Sequence, residues 1–287
     1  MRVSLIAISL ALIALNANVA SAQDSHVQVQ LLSSVSAVTP GKPFYLGIKL
    51  TMDSGWHIYW KNAGDAGLPT RVTFSLPDGF TAGGIIYPTP QRLEQPGNII
   101  NFGYEDTVML MALITPPQNL PENFSGQFVA NVSWLVCADN CIPGKGSDAV
   151  TLGESDTPQP NKTEVFDEWL KQVPVPVDQS HAVQGDKADV SFVNGQLTIK
   201  FAWDEPGPPT NSIAVIAGSL DDYNITKTDV QSSGPQTTIV CTLQPLAGKK
   251  SAAATFDVVV RYTNSADGRP RGLIIPVSLP AFASDQH

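Results

Sequence analysis

Apolar and polar side chains alternate with a period of two along much of the chain. The clearest runs lie at residues 27–31, 44–50 and 72–76, where every second residue is apolar. Two further runs, TVMLMALI and GQFVANVSWLVC, are rich in β-branched and aromatic residues. Gly, Pro, Asn and Asp separate the runs, and this arrangement predicts strands joined by turns. The first half of the chain is therefore predicted to be an all-β sandwich.

The pattern changes between residues 153 and 189, which we predict to be a linker that carries one short docking helix. Four prolines break any strand there, at Pro158, Pro160, Pro174 and Pro176. The helix is indicated by apolar residues at i, i+3, i+4 and i+7, which are Phe166, Trp169, Leu170 and Val173. Asn161 and Glu164 have the spacing of a capping box at its start.

A second β region is predicted from residue 190 to 287. It opens with DVSFVNGQLTIKF, in which Asn194 and Gly195 suit a type I′ turn between two alternating runs. Four later apolar runs bring the total to six or seven strands. The sequence thus predicts an all-β protein in which a first sandwich at residues 23–152 precedes a second, smaller sandwich-like domain.

The first 22 residues have the composition of a signal peptide. Arg2 precedes an apolar run at residues 3–15, and Ala20-Ser21-Ala22 resembles a cleavage site. The thirteen-residue run is short for a membrane span, although an uncleaved anchor is the alternative. We expect an exported, soluble mature chain that starts at Gln23 and is not stably inserted in a membrane.

Charge and cysteine content narrow the function further. The formal net charge is −9, and the chain therefore lacks the positive field that nucleic-acid binding needs. Three cysteines are too few for a disulfide-built scaffold, but export permits a disulfide. Cys241 lies in TTIVCTL on the apolar face of a predicted strand, and we expect a buried, inert thiol.

The remaining two cysteines lie three residues apart in WLVCADNCIPG. We predict that Cys137 ends one strand, that Cys141 begins the next, and that Asn140 takes a left-handed conformation in the turn. Opposed residues at such a position are close enough for a disulfide. Closing so small a loop stabilises the fold by only about 2 kcal/mol, which favours a redox role over a structural one.

Two alternatives stay open for the cysteine pair. The pair could bind Cu(I), because two thiolates are sufficient for that ion, whereas zinc would need further ligands that the sequence does not supply. It could also be a simple staple in a non-catalytic binding module. The neighbouring charges have opposite effects on the thiol pKa: Asp139 would raise it and Lys145 would lower it.

Three segments in order resemble the N-terminal periplasmic domain of the DsbD and ScsB thiol–disulfide interchange proteins. They are GWHIYWKNAGDAGLPTRVTF, FGYEDTVMLMALI and VSWLVCADNCIPG, and the resemblance extends from about residue 27 to residue 152. It implies an immunoglobulin-like fold in the periplasm, with Cys137 and Cys141 as the catalytic redox pair. It further implies that Cys141 forms the mixed disulfide with a partner and that Cys137 resolves it, with no organic cofactor.

The resemblance also implies partners and a shield. Electrons would come from a membrane-embedded DsbD/ScsB-type protein or a thioredoxin-like protein and pass to oxidised periplasmic proteins. This sequence has no membrane bundle and no C-x-x-C motif, so we expect either that those parts are on separate chains or that this is a free-standing acceptor with its own target; the direction of electron flow stays open. In the family a cap loop shields the cysteines, and residues 92–104 are at the corresponding position. Phe102 and Tyr104 are the candidate lids of this cap; the alternative is that both pack into the core of the sandwich. His57 is a possible proton acceptor, although the sequence does not place it near the cysteines.

Overall fold

The computed structural model of the protein describes residues 26–204, 207–217, 223–245 and 253–280, and strands account for most of them. The predicted signal peptide at residues 1–22 lies outside this part. The strands before the helix are β1 Val27–Ser33, β2 Val35–Val38, β3 Phe44–Met52, β4 His57–Gly64, β5 Arg71–Ser75, β6 Thr81–Ala82, β7 Gln91–Gln95, β8 Ile99–Glu105, β9 Thr107–Thr115, β10 Ser125–Cys137, β11 Cys141–Glu154 and β12 Gln159–Pro160.

The elements after β12 begin with the helix α1, Thr163–Leu170. The later strands are β13 Val175–Pro176, β14 Asp189–Val193, β15 Gln196–Ala202, β16 Ala214–Ala217, β17 Tyr223–Ser233, β18 Gln236–Pro245, β19 Ala254–Thr263 and β20 Pro270–Leu279. Short 3₁₀ turns occur at Val177–Gln179, Gln184–Asp186 and Thr210–Ser212. None of the helices in the described ranges is long and apolar enough to cross a membrane.

The first sandwich packs two sheets over one apolar core. One sheet has the order β1-β3-β9-β6, and the other has the order β12-β2-β11-β10-β4-β8-β7 with β5 also paired to β10. The alternating runs of the sequence place one side chain in two in the core, as the burial of Leu46, Ile48 and Leu50 shows. This order puts β4 beside the end of β10, and β7 and β8 beyond it.

The helix α1 docks on the outside of the first sandwich. Phe166 is buried against Met109 and Met111 of β9, which are themselves fully buried. The predicted helix is therefore present, but the predicted capping box is wrong. The residue at the N-cap is Lys162, no side chain caps the helix, and the Asn161 side chain instead donates to the Ser33 carbonyl. Asn161 therefore lies one residue before the N-cap, and its side chain is held on the end of β1.

The second β region forms two four-stranded sheets around its own core. Their orders are β13-β20-β19-β16 and β14-β15-β18-β17. Asn194 and Gly195 both have positive φ angles, 48° and 77°, as the predicted type I′ turn requires. Val177 and Val183, from the segment predicted as linker, pack into this second core. The two regions meet at α1, where Glu168 pairs with Arg269 at 2.7 Å.

Candidate redox site

The cysteine pair closes the longest hairpin of the first sandwich. Strands β10 and β11 pair without a register shift from Ser125 and Gly153 up to Cys137 and Cys141. The Trp134 indole packs against the backbone of Gly144 and leaves no space for a side chain there, since a Cβ atom would lie 2.4 Å from the indole nitrogen. The glycine-rich start of β11 therefore lets the strand lie close to β10 and holds the two cysteines opposite one another.

Cys137 and Cys141 are joined as a disulfide with a Cα–Cα distance of 4.1 Å. The turn between them is held by the Ala138 amide, which donates to the Asn140 carbonyl at 3.1 Å. The predicted left-handed conformation of Asn140 is wrong, because its φ angle is not positive. With the two cysteines already bonded across a three-residue turn, the backbone closes without a left-handed residue.

The two sulfurs are unequally accessible. Cys137 has no solvent-exposed surface, whereas Cys141 is exposed. Cys137 lies in a small cluster with Tyr59 and Ala63, against which Leu135 also packs. Cys141 is therefore the more accessible of the two sulfurs to an incoming thiolate.

A buried tyrosine hydroxyl lies against the disulfide. Tyr59 Oη donates to Cys137 Sγ at 3.1 Å and is 4.0 Å from Cys141 Sγ. Burial raises the pKa of Tyr59, and a side-chain hydrogen bond with Gln95 opposes that rise. The hydroxyl therefore keeps its proton at neutral pH. It is a donor placed at the atom where negative charge develops when the disulfide is attacked.

His57 is brought to the site by the pairing of β4 with β10, in which it lies opposite Cys137. Its ring meets the Tyr59 ring edge to face, with the centroids 5.3 Å apart. The Gln95 amide nitrogen lies 3.3 Å from His57 Nε2. Burial lowers the pKa of His57, so the ring is neutral at pH 7. The hydrogen-bonded group His57, Gln95 and Tyr59 thus connects the tip of the β7–β8 hairpin to the buried sulfur.

The two aromatic residues proposed as lids lie elsewhere. Phe102 and Tyr104 are buried in the large core of the first sandwich, and the Tyr104 hydroxyl donates to the Pro88 carbonyl at 2.7 Å. This is the packing alternative raised by the sequence. The residue of segment 92–104 that reaches the site is Gln95. Nothing in the sequence pattern indicated a role for this polar residue.

Two further residues, Trp56 and the third cysteine, lie away from the disulfide. Trp56 stacks on His26 at a centroid distance of 3.8 Å, beside the start of β4. Cys241 is buried as predicted, and burial raises its pKa to about 11, with a Thr228 hydroxyl contact acting in the opposite direction. Within the described residues, no group of three or more His, Cys, Asp or Glu side chains is arranged to hold a metal ion.

Comparison with known proteins concerns the fold and the family of the first sandwich. Residues 26–153 match the family model described as thiol:disulfide interchange protein DsbD, N-terminal. The crystal structure of the N-terminal periplasmic domain of ScsB from Proteus mirabilis is similar, with 14% sequence identity, a TM-score of 0.61, and coverage of 90% of this chain and 95% of that one. A search of curated protein sequences finds no match.

A second solved structure, the Neisseria meningitidis DsbD N-terminal domain in the reduced form, matches with 10% identity and a TM-score of 0.26. That match covers 44% of this chain and 90% of the other. The ScsB likeness shows the fold, and it confirms the predicted all-β, immunoglobulin-like architecture. The predicted resemblance is confirmed as well: residues 26–153 match the N-terminal domain of the DsbD family.

Proposed function

We propose that this protein performs thiol–disulfide exchange in the periplasm through Cys137 and Cys141. The observation that carries the proposal is the asymmetry of the disulfide. One sulfur is exposed at a turn, and the other is buried beneath a tyrosine that donates a hydrogen bond to it. A disulfide that serves only as a staple needs neither the exposed sulfur nor the donor.

Reduction proceeds by two exchange steps. A thiolate of the electron donor attacks Cys141 Sγ, the S–S bond breaks, and a mixed disulfide forms while Cys137 leaves as a thiolate. The Tyr59 hydroxyl donates to that thiolate. The donor's second thiolate then attacks the donor sulfur of the mixed disulfide, which releases Cys141. The donor becomes a disulfide, and the two protons of its dithiol end on Cys137 and Cys141.

Electrons leave by the same steps in reverse. The Cys141 thiolate attacks the disulfide of an oxidised periplasmic protein and forms a mixed disulfide with it. Cys137 then attacks Cys141 Sγ, which restores the internal disulfide and releases the reduced substrate. The donors we propose are a membrane-embedded DsbD/ScsB-type protein or a thioredoxin-like protein, and an organic cofactor is not needed because the sulfurs carry both electrons.

The domain organisation of the chain is part of the proposal. Residues 23–152 would be the redox domain, residues 153–189 a linker with the docking helix, and residues 190–287 a second β domain. Two apolar clusters support this division: one lies mostly within the first sandwich, with Ile216 and Val259 of the second region packed into it, and the other lies within the second region. The Cu(I) alternative uses the same two sulfurs in their reduced state, and no further observation favours it.

The reduction potential of the Cys137–Cys141 pair tests the proposal. The protein is equilibrated with a series of glutathione redox buffers, in a Cys241→Ala background that excludes scrambling with the third thiol. We expect a potential within the range of thioredoxin-like proteins, roughly −120 to −270 mV. A potential below about −300 mV would make the pair a structural bridge and leave the non-catalytic binding module as the better explanation.

A further inference from the structure

The strand register around the disulfide builds a solvent face from three successive rows of side chains. In the first row, His57 of β4 lies opposite Cys137, and Cys137 lies opposite Cys141. Two residues further along the strands, Leu135 lies opposite Pro143. Because alternate residues of a strand share a face, both rows are on the face that points away from the core. We call this surface the disulfide face.

The third row carries two cations. Ser133 of β10 lies between Arg71 of β5 and Lys145 of β11. Arg71 and Lys145 are both exposed, and neither forms an ion pair with any residue that the structure describes. Four residues along a strand separate this row from the disulfide, which is a distance of about 14 Å.

Apolar surface lies between the cations and the exposed sulfur. Pro143 is exposed and Leu135 is half-buried. Leu68 adds a large exposed side chain, with 62% of its surface accessible. Leu68 belongs to the loop between β4 and β5. Gly67, the residue just before it, packs directly on the Tyr59 ring. The disulfide face thus has an apolar centre next to Cys141.

The acidic groups near this face lie on its other sides. Asp139 is in the turn beyond the disulfide, and Glu105 lies on β8 on the far side of His57. Asp65 accepts a hydrogen bond from the Ile100 amide. The charges on the face are therefore separated: the Asp139 carboxylate lies beyond the disulfide, Glu105 lies beside it across His57, and the two cations lie four residues away from it along the strands. This local arrangement contrasts with the net charge of −9 of the whole chain.

We propose that the disulfide face is the docking surface for the exchange partner, and that this partner is a protein with a carboxylate-rich patch about 14 Å from its reactive cysteine. The apolar centre packs against the surface around the partner's cysteine, and Arg71 and Lys145 attract its carboxylates. Such charge complementarity acts mainly on the association rate and on the orientation of docking. The proposal rests on the proposed exchange function and specifies the partner for it.

Two synthetic thiol peptides test this docking surface. Each has blocked termini and a single cysteine, followed after three neutral residues by either three glutamates or three lysines. The second-order rate of mixed-disulfide formation with the oxidised protein is measured by acid quench and mass spectrometry. Each rate is divided by the rate of the same peptide with 2-hydroxyethyl disulfide, a neutral reference that removes the difference in thiol reactivity.

We expect the acidic peptide to react at least about fivefold faster than the basic one at low salt, which is the effect of one solvent-screened charge pair. The double variant Arg71→Gln/Lys145→Gln should lose this preference, and 0.5 M salt should remove it in the wild type. Lys42→Gln, at an exposed lysine before β3 at the other end of the sandwich, is the matched control and should keep it.

Two results would overturn the docking proposal while the exchange function stands. One is a wild-type protein that reacts equally with both peptides or prefers the basic one, as the overall negative charge alone would favour. The other is a preference that the double variant retains. The glutathione titration in the Cys241→Ala background separates these results from a failure of the function itself, because it does not depend on a charged patch of the partner about 14 Å from the reacting sulfur.

Discussion

Replacing Tyr59 with phenylalanine isolates the contribution of one hydroxyl to exchange. The substitution keeps the ring that packs against Gly67 and Cys137 and removes only the donor that lies 3.1 Å from Cys137 Sγ. In the resting protein this hydrogen bond goes to a neutral sulfur. During attack on Cys141 the same sulfur gains negative charge, and the hydrogen bond strengthens.

The expected magnitude follows from that difference. A hydrogen bond between neutral groups contributes about 1 kcal/mol, and one to a charged group contributes about 1.5–3 kcal/mol. The part that exists only in the transition state is thus about 0.5–2 kcal/mol, and its loss slows exchange by roughly 2- to 30-fold. The assay is the rate of reduction by dithiothreitol, followed by alkylation at timed intervals and mass spectrometry.

Tyr104→Phe is the matched control for Tyr59→Phe. It removes another buried tyrosine hydroxyl, which donates to the Pro88 carbonyl and has no contact with the sulfurs. We expect this variant to lose stability but to be reduced at the wild-type rate. Equal rates for both variants and the wild type would refute a donor role for Tyr59. A faster Tyr59→Phe variant would show that the tyrosine acts as a shield instead.

Three further predictions concern the same site. Cys137→Ala should leave an exposed Cys141 that forms a mixed disulfide with oxidised glutathione. Cys141→Ala should react at least about tenfold more slowly, because its remaining thiol, Cys137, is buried. Intact mass spectrometry measures both reactions. Burial lowers the pKa of His57 in the folded state, so the unfolded state binds a proton first as the pH falls. Stability should therefore decrease as the pH drops below about 6.5. In His57→Gln the urea midpoint should change less between pH 7 and pH 5 than it does in the wild type. Gly67→Ala should lower stability by about 1–3 kcal/mol and slow exchange, since the added methyl group would lie 2.3 Å from the tyrosine ring. Gly97→Ala, also at a positive φ angle but with open space around it, should keep the wild-type exchange rate.

Local patterns in the sequence predicted most of the architecture. A period of two in the first half predicts strands because one side of each strand faces the core, and the burial of Leu46, Ile48 and Leu50 follows that period. The Asn194-Gly195 turn was equally predictable, because few other residue pairs adopt two consecutive positive φ angles at low cost.

Two predictions that depended on a single asparagine side chain were wrong. Asn161 suits a helix cap, but the strand pairing of the first sandwich places the Ser33 carbonyl within its reach. Asn140 suits a left-handed turn, but the short loop between two bonded cysteines closes without one. For Asn161 a tertiary contact overrides a local preference, and a sequence pattern does not contain that contact; for Asn140 the geometry of the short disulfide loop decides the turn.

The site could be predicted only in part, for the same physical reason. The cysteines are neighbours in sequence, and their spacing alone indicates a disulfide across a turn. The residues that complete the site come from β4 and from the β7–β8 hairpin. Tyr59 is 78 residues before Cys137, and Gln95 meets His57 across 38 residues. Their proximity depends on the order of strands in the sheet, which local periodicity does not specify.

The hairpin also explains how the disulfide can open and close without loss of the fold. Closure of its five-residue loop contributes only about 2 kcal/mol, whereas the paired strands β10 and β11 continue for twelve residue pairs beyond the cysteines. Trp134, buried against Gly144, holds the two strands together independently of the sulfurs. Reduction therefore frees two thiols while Tyr59, His57 and the disulfide face stay in place. A weakly stabilising bond at the end of a strongly held hairpin thus suits repeated electron transfer better than a bond on which the fold depends.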